Sequence, residues 1–364
     1  MDTFTQITLG AAVGQAVGHR DIGNKAILWG AFGGLLPDLD MLFLPLLDPV
    51  TQLSWHRGIS HGILLILLLT PLLGWVMHKV HGGLVSMGKG ALLVFLALST
   101  HVLLDCFTVY GTGVFEPFSD VRLAWNNLFI IDPLYTLPLL IGVIASMFPG
   151  EVRAKLFRNA AGIIISSGYI IVTLALKFGT MPAFTRSLEE QNINYTRITT
   201  APTALNCLLW RAVAEDAGGY WIGYYSVFDG DGAVKFWRVP RNEQLLAGLE
   251  NERAVKKLKW FSDGWYSVSR DERGLRFHDL RFGEFDAAKP ENSFGLGNPV
   301  NLHYVFTFRL PEAPPGSPDR YTVRQEEFVM PDVGRTMDLL WTRLKGIRPS
   351  TSRSSNGSPH SFNE

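Results

Sequence analysis

The pattern of apolar and polar positions divides the chain into two halves of different character. In the first, apolar stretches run over 90–109, 128–148 and 160–178, each close to the roughly 20 residues that cross a bilayer as a helix. A fourth, 61–77, is slightly shorter and carries no Asp, Glu, Lys or Arg. Two more, 7–17 and 26–36, are shorter still and rich in Gly and Ala, as suits half-spanning, tilted or tightly packed helices. After Phe178 the pattern changes to short runs of aromatic and β-branched residues, predicting strands over 194–200, 205–214, 220–228, 234–239, 265–269, 275–280 and 304–310. Asp216-Ala217-Gly218-Gly219 and Asp229-Gly230-Asp231-Gly232 read as turns between paired strands, and helices are predicted over 243–261 and 333–344. The expected architecture is an α-helical transmembrane bundle of about 5–6 membrane segments over 1–180, then a soluble α+β domain with a mainly antiparallel sheet over 181–347. The Ser-rich segment 348–364 lacks periodicity and is expected to be disordered.

Composition sharpens this division. Lys+Arg and Asp+Glu both number 33, so the formal charge is zero, which argues against a nucleic-acid-binding surface over the whole chain. Residues 1–180 hold 10 basic and 10 acidic side chains, and 181–364 hold 23 of each. The two cysteines, Cys106 and Cys207, exclude a disulfide framework and a Cys-rich zinc module. Asp2 stands where a secretory signal would carry basic charge, so the start does not read as one. If every segment crosses once, Arg20, Lys25, Lys79, Lys89, Arg153, Lys155 and Arg158 share one face, against Arg57 and Arg122 on the other. The positive-inside rule then makes the first face cytoplasmic and delivers the soluble domain to the non-cytoplasmic side of a multi-pass inner-membrane protein.

Ionisable residues in apolar segments each cost about 2.5–3.5 kcal/mol on insertion scales, so each needs a reason. Here they cluster. Leu35-Leu36-Pro37-Asp38-Leu39-Asp40 places two carboxylates where Pro37 stops or bends a helix, and in an extended segment Asp38 and Asp40 would point the same way. His56-Arg57-Gly58-Ile59-Ser60-His61 precedes an apolar helix, and His101 and Asp105 stand four apart on one helix face. In the topology above these groups, with Asp2, meet at one end of the bundle. Asp2, Asp38, Asp40 and Asp105 with His56, His61 and His101 would repel one another without a cation, which makes all seven candidate ligands of a divalent metal ion. A nitrogen and oxygen donor set without sulfur suits zinc foremost, with manganese or iron as alternatives. Arg57 is placed either to hold a phosphate or developing negative charge or simply to meet an anionic headgroup at the interface. Asp132, before Pro133, is a further ligand, a general base or a helix cap.

The ordered set Met1-Asp2-Thr3-Phe4-Thr5-Gln6, Gly34-Leu35-Leu36-Pro37-Asp38-Leu39-Asp40, His56-Arg57-Gly58-Ile59-Ser60-His61, His101-Val102-Leu103-Leu104-Asp105, Tyr110-Gly111 and Pro117-Phe118 resembles the membrane-bound metal-dependent hydrolases of the YdjM-like, inner-membrane-associated family. The resemblance covers about residues 1–180 and departs at Gln6, where many members carry His. It implies metal-assisted hydrolysis without fixing a substrate. A lipid or lipid-linked ester or phosphoester in the bilayer is the expected partner, because the cluster lies at headgroup depth. The same intramembrane Asp and His residues would also suit a transporter. A membrane anchor with a structural metal is a third possibility.

Overall fold

The computed structural model describes residues 1–230, 232–286, 290–297, 302–312, 320–327 and 332–347. The tail expected to be disordered, 348–364, lies outside them.

The N-terminal half is an antiparallel helical bundle. Among the described residues, four helices are long and apolar enough to cross a membrane: Lys25–Leu46, Ile63–Val80, Met87–Cys106 and Val152–Glu190. The first comprises α2 (Lys25–Leu35) and a 3₁₀ helix (Leu36–Leu46); the others are α4, α5 and α7. The short helix α3 (Pro49–Trp55) links the first two, and α6 (Pro133–Met147) is a shorter apolar helix between α5 and α7. α1 (Thr3–Ile22) packs on α2, α5, α6 and α7 and buries more than half of its residues, so it is screened from lipid by its neighbours. That is why it tolerates Gln6 and Gln15 inside the bundle, the latter hydrogen-bonded to Ser146 (3.0 Å).

α1 and α2 approach at a run of glycines. A Cβ built on Gly30 would stand 2.0 Å from the Gly10 carbonyl oxygen, and one on Gly14 2.1 Å from that of Ala26. Only glycine permits this backbone contact.

In the bundle, the segments 128–148 and 160–178 depart from the sequence reading. The segment 128–148 becomes helical only at Pro133, because Asp132 is extended and caps α6 by accepting from the Leu134 amide (3.0 Å). The apolar run 160–178 is the middle of a 39-residue helix, α7, which continues through polar residues to Glu190. Its last turns are held from outside: Phe184 is buried with Trp210, Ala212 and Val234, and the Ser187 hydroxyl accepts from the Val234 amide (2.9 Å).

The described residues of the C-terminal half form two four-stranded antiparallel sheets. One runs β1 (Arg197–Pro202), β2 (Leu209–Glu215), β3 (Gly219–Ser226), β4 (Phe236–Pro240). The other runs β5 (Tyr266–Asp271), β6 (Gly274–Asp286), β7 (Leu302–Arg309), β8 (Arg324–Gln325). The buried Arg211 of β2 joins them, pairing with Glu284 of β6 and donating to the Leu280 carbonyl (2.7 Å). The helix expected over 243–261 is instead a 3₁₀ turn (Glu243–Leu246) and α8 (Arg253–Phe261), separated where Gly248 takes a φ of +80°. The helix expected over 333–344 is α9 (Val333–Leu344), whose Arg343 makes a buried bidentate pair with Asp229 (2.7 and 2.6 Å). The turn at Asp229 thus anchors the last helix.

α3 joins the halves, because Val50 and Leu53 enter the same core as Val255, Leu258 and Phe277.

His278, another residue of this half, is buried between Ser269 (2.8 Å) and Thr307 (2.9 Å), and burial pulls its pKa down from 6.5 to about 3. The unfolded chain therefore binds a proton that the folded chain refuses, so stability falls as pH drops from about 6.5 toward 3. Each unit of pKa difference is worth about 1.4 kcal/mol. His278→Gln should show a smaller loss of melting temperature between pH 7.5 and 5 than the parent protein. Parallel losses in both would remove His278 as the cause.

Candidate metal centre

The site lies at the end of the bundle where α2 passes into its 3₁₀ extension, α4 begins and α5 ends. Asp38, His61, His101 and Asp105 each direct one ligand atom into a common space, all within 4.8 Å of one another, and all four residues are buried. His61 Nε2 lies 3.6 Å from Asp38 Oδ1 and 3.2 Å from Asp105 Oδ2; His101 Nε2 lies 3.5 and 3.7 Å from the same atoms; the two Nε2 atoms are 3.1 Å apart. A tetrahedral ion with bonds near 2.0–2.1 Å has ligand–ligand edges of about 3.3 Å. The observed separations scatter around that value.

The hydrogen bonds behind these atoms decide their protonation. His101 Nδ1 faces the Gly34 carbonyl (2.6 Å), an acceptor only, so Nδ1 carries the proton. The Ser60 hydroxyl donates to Asp40 Oδ2 (2.5 Å) and must then accept from His61 Nδ1 (2.8 Å). Both imidazoles in their neutral form therefore present a bare lone pair at Nε2. Two lone pairs and two carboxylate oxygens converge with no proton of their own to share, and Asp105 Oδ2 accepts no hydrogen bond among the described residues, although Arg57 Nε stands 3.1 Å from it. In a buried site this arrangement is costly unless a cation completes it.

Asp38 and Asp40 do not point the same way, which corrects the reading from an extended segment. They sit in a 3₁₀ helix, where each residue turns about 120° and positions two apart diverge. Asp38 turns to His61 and His101. Asp40 turns to His56 Nδ1 (3.0 Å), Ser60 and the Arg57 amide (3.3 Å). Asp40 and His56 thus form a pair beside the cluster, and Asp40 orients His61 through Ser60. Asp40→Asn should lower divalent-metal affinity by about 10- to 100-fold, as expected for a group that orients a ligand, when the protein is titrated with zinc against a competing chelator. Unchanged affinity would remove the positioning role.

The remaining candidates take other places. Asp2 caps α1, accepting from the Thr5 amide (3.0 Å) and hydroxyl (2.6 Å). Asp132 caps α6 and accepts from the Tyr169 hydroxyl (2.8 Å). Neither belongs to the four-residue group. Arg57 is buried beside the cluster, with Nε 3.1 Å from Asp105 Oδ2, Nη1 on Thr108 (2.9 Å) and the guanidinium 4.9 Å from the Tyr110 ring centroid. Its backbone φ of +57° is unusual for a side-chain-bearing residue, and the fold holds it there by bonding its carbonyl to the Gly113 amide (2.8 Å). Gln6 also enters, donating to Asp105 Oδ1 (2.9 Å). Sequence reasoning missed Ser60, Thr108 and Tyr110 as supports of the site. Only Ser60, directly before His61, had a local signal.

These features define a membrane-embedded helical domain with a buried carboxylate–imidazole cluster, continuous with a two-sheet domain. Residues 1–181 match the model of the YdjM inner membrane protein family, and this half of the chain belongs to that family. The chain is also 24% identical over 297 residues to the uncharacterized protein YfhP of Bacillus subtilis (strain 168), covering 78% of this chain and 87% of that protein. No solved structure matches.

Proposed function

We propose that the protein is a metal-dependent membrane hydrolase that cleaves an ester or phosphoester of a lipid-like substrate at the membrane interface. The observation that carries this reading is the convergence of His61 Nε2, His101 Nε2, Asp38 Oδ1 and Asp105 Oδ2, with both imidazoles held as lone-pair donors by Ser60 and Gly34. Zinc is the ion best suited to this donor set, with manganese or iron as alternatives, and such an ion, held by four protein ligands, would have to take a further ligand to supply water acidified toward neutrality or a Lewis acid for the substrate oxygen. The chain's own residues do the rest. Asp105 accepts from Gln6 at one oxygen and turns the other inward. Arg57, now paired with that inward oxygen, is positioned to bind negative charge as it develops on the substrate. Tyr110 and Thr108 hold the guanidinium in place.

The basic residues support a multi-pass orientation with the cluster on the non-cytoplasmic side of the inner membrane. Arg20, Lys25, Lys79, Lys89, Arg153, Lys155 and Arg158 lie at or near the bundle end away from the cluster. α7 carries the chain from that end to the cluster's end, so the sheet domain shares the cluster's side.

The test is hydrolysis of a panel of lipid esters and phosphoesters by detergent-solubilised protein. Activity abolished by a chelator and restored by a divalent metal supports the reading. Metal-loaded protein inert toward the whole panel counts against it.

A further inference from the structure

A cleft of about 520 Å³ opens between the loop joining α5 to α6 and the sheet domain, apart from the four-residue cluster. Arg122, Arg197 and Arg281 line it together with Trp260 and Trp265. Two of these arginines are neutralised, Arg197 by Glu215 and Arg281 by Asp279 (2.6 Å). Arg122 is different. It donates to the carbonyls of Gly111 (2.8 Å), Leu53 (3.2 Å) and His56 (3.3 Å), and no carboxylate of the described residues lies within 4.0 Å of it. Its guanidinium stands 5.0 Å from the Tyr110 ring centroid and 5.3 Å from that of Trp260. Burial draws its pKa down from 12.5 to about 10.

Carbonyl dipoles and ring faces hold a cation in position without cancelling its charge. A second half-buried cation, Lys177, likewise donates only to carbonyls, those of Asn126 (3.0 Å) and Thr200 (2.7 Å), beside the cleft wall. The acids that line the cleft, Asp120 and Asp263, are exposed, where water screens them. Arg122 is therefore a cation of the cleft wall with no carboxylate of its own among the described residues. Its mouth also borders apolar surface: Phe118, Val121 and Trp125 of the loop are all exposed. Aromatic and apolar side chains flanking a cationic recess are the pattern of the membrane–water interface.

We infer that this cleft is a binding site for a phosphoryl-bearing anion, supplied either by an anionic lipid headgroup or by a soluble phosphate ester. Guanidinium groups match phosphoryl oxygens, and Arg122 is the lining guanidinium that no carboxylate of the described residues pairs. Tyr110 separates the recess from Arg57, so the site adjoins the metal cluster without sharing a ligand with it. The inference holds whatever reaction the cluster performs.

The experiment is calorimetric titration of the full-length detergent-solubilised protein with dihexanoyl phosphatidic acid below its micelle-forming concentration, with inorganic phosphate, and with a neutral glycoside amphiphile. Saturable binding of the phosphatidic acid alone identifies a lipid headgroup, and comparable binding of inorganic phosphate identifies a soluble ester. Both outcomes support the site, provided the neutral amphiphile does not bind saturably. Arg122→Gln should weaken binding more than tenfold. Arg197→Gln should weaken it about tenfold, and it keeps the fold testable because Glu215 retains Arg241. Metal content should be unchanged in Arg197→Gln, which separates failure here from failure of the metal centre. No saturable binding of either anion, or equal affinity in Arg197→Gln and the parent protein, overturns the site.

Discussion

Protein purified with His101→Ala should carry almost no divalent metal, whereas the parent protein should carry about one ion per four-residue cluster. The substitution removes one of four converging ligand atoms and also the hydrogen bond that ties α5 to the Gly34 carbonyl. Its effect on affinity should exceed the about 10- to 100-fold expected for Asp40→Asn, because a ligand is lost and not merely reoriented. Asp105→Asn is the companion variant. It preserves shape but removes a charge on which His61, His101 and Arg57 all converge. Elemental analysis of both proteins at matched melting temperature is the measurement. Metal retained at the parent level in both would dismantle the cluster as a metal site.

Gly30→Val should prevent stable assembly of the bundle. The added Cβ would lie 2.0 Å from the Gly10 carbonyl oxygen and 2.7 Å from the Gly14 Cα, both backbone atoms that no rotamer change can move. Relief requires α1 and α2 to separate by more than an ångström, which would shift Gly34 and the Asp38 turn that follows it. The expected loss exceeds the about 1–3 kcal/mol typical of overpacking and should appear as failed expression or aggregation on solubilisation. Gly168→Ala is the matched control. Nothing lies within 4 Å of a Cβ at that helical position, so it should be neutral or slightly stabilising. Similar melting temperatures for the two variants would show that the α1–α2 approach is looser than drawn.

The four residues of the buried cluster were among seven that the sequence put forward, because ionisable groups in apolar runs demand a partner, and His101 and Asp105 announce a shared face by spacing alone. The antiparallel character of the second half was legible too, since each hairpin is local, but not its division into two sheets. What escaped depended on geometry that no window of sequence contains. Pro37 signalled an end to α2 but not that a 3₁₀ turn would split Asp38 from Asp40 onto different partners. Asp132 offered three readings, and only the positions of Leu134 and Tyr169 chose among them. Arg122 reads as an ordinary loop cation, because the aromatic rings around it come from 110, 260 and 261, distant in sequence. The polar end of α7 gave no periodic apolar signal of its own, since the sheet domain supplies the packing.

α7 has a mechanical consequence. At about 1.5 Å per residue its 39 residues span about 58 Å, nearly twice the hydrocarbon thickness of a bilayer. The same rod is clamped at one end by the bundle and at the other by the first sheet. Its helical phase therefore sets the azimuth of the sheet domain over the bundle. One residue inserted near Phe178 would turn the domain by about 100° and pull the Trp260–Arg281 wall out of register with Arg122, leaving both domains folded but mismatched.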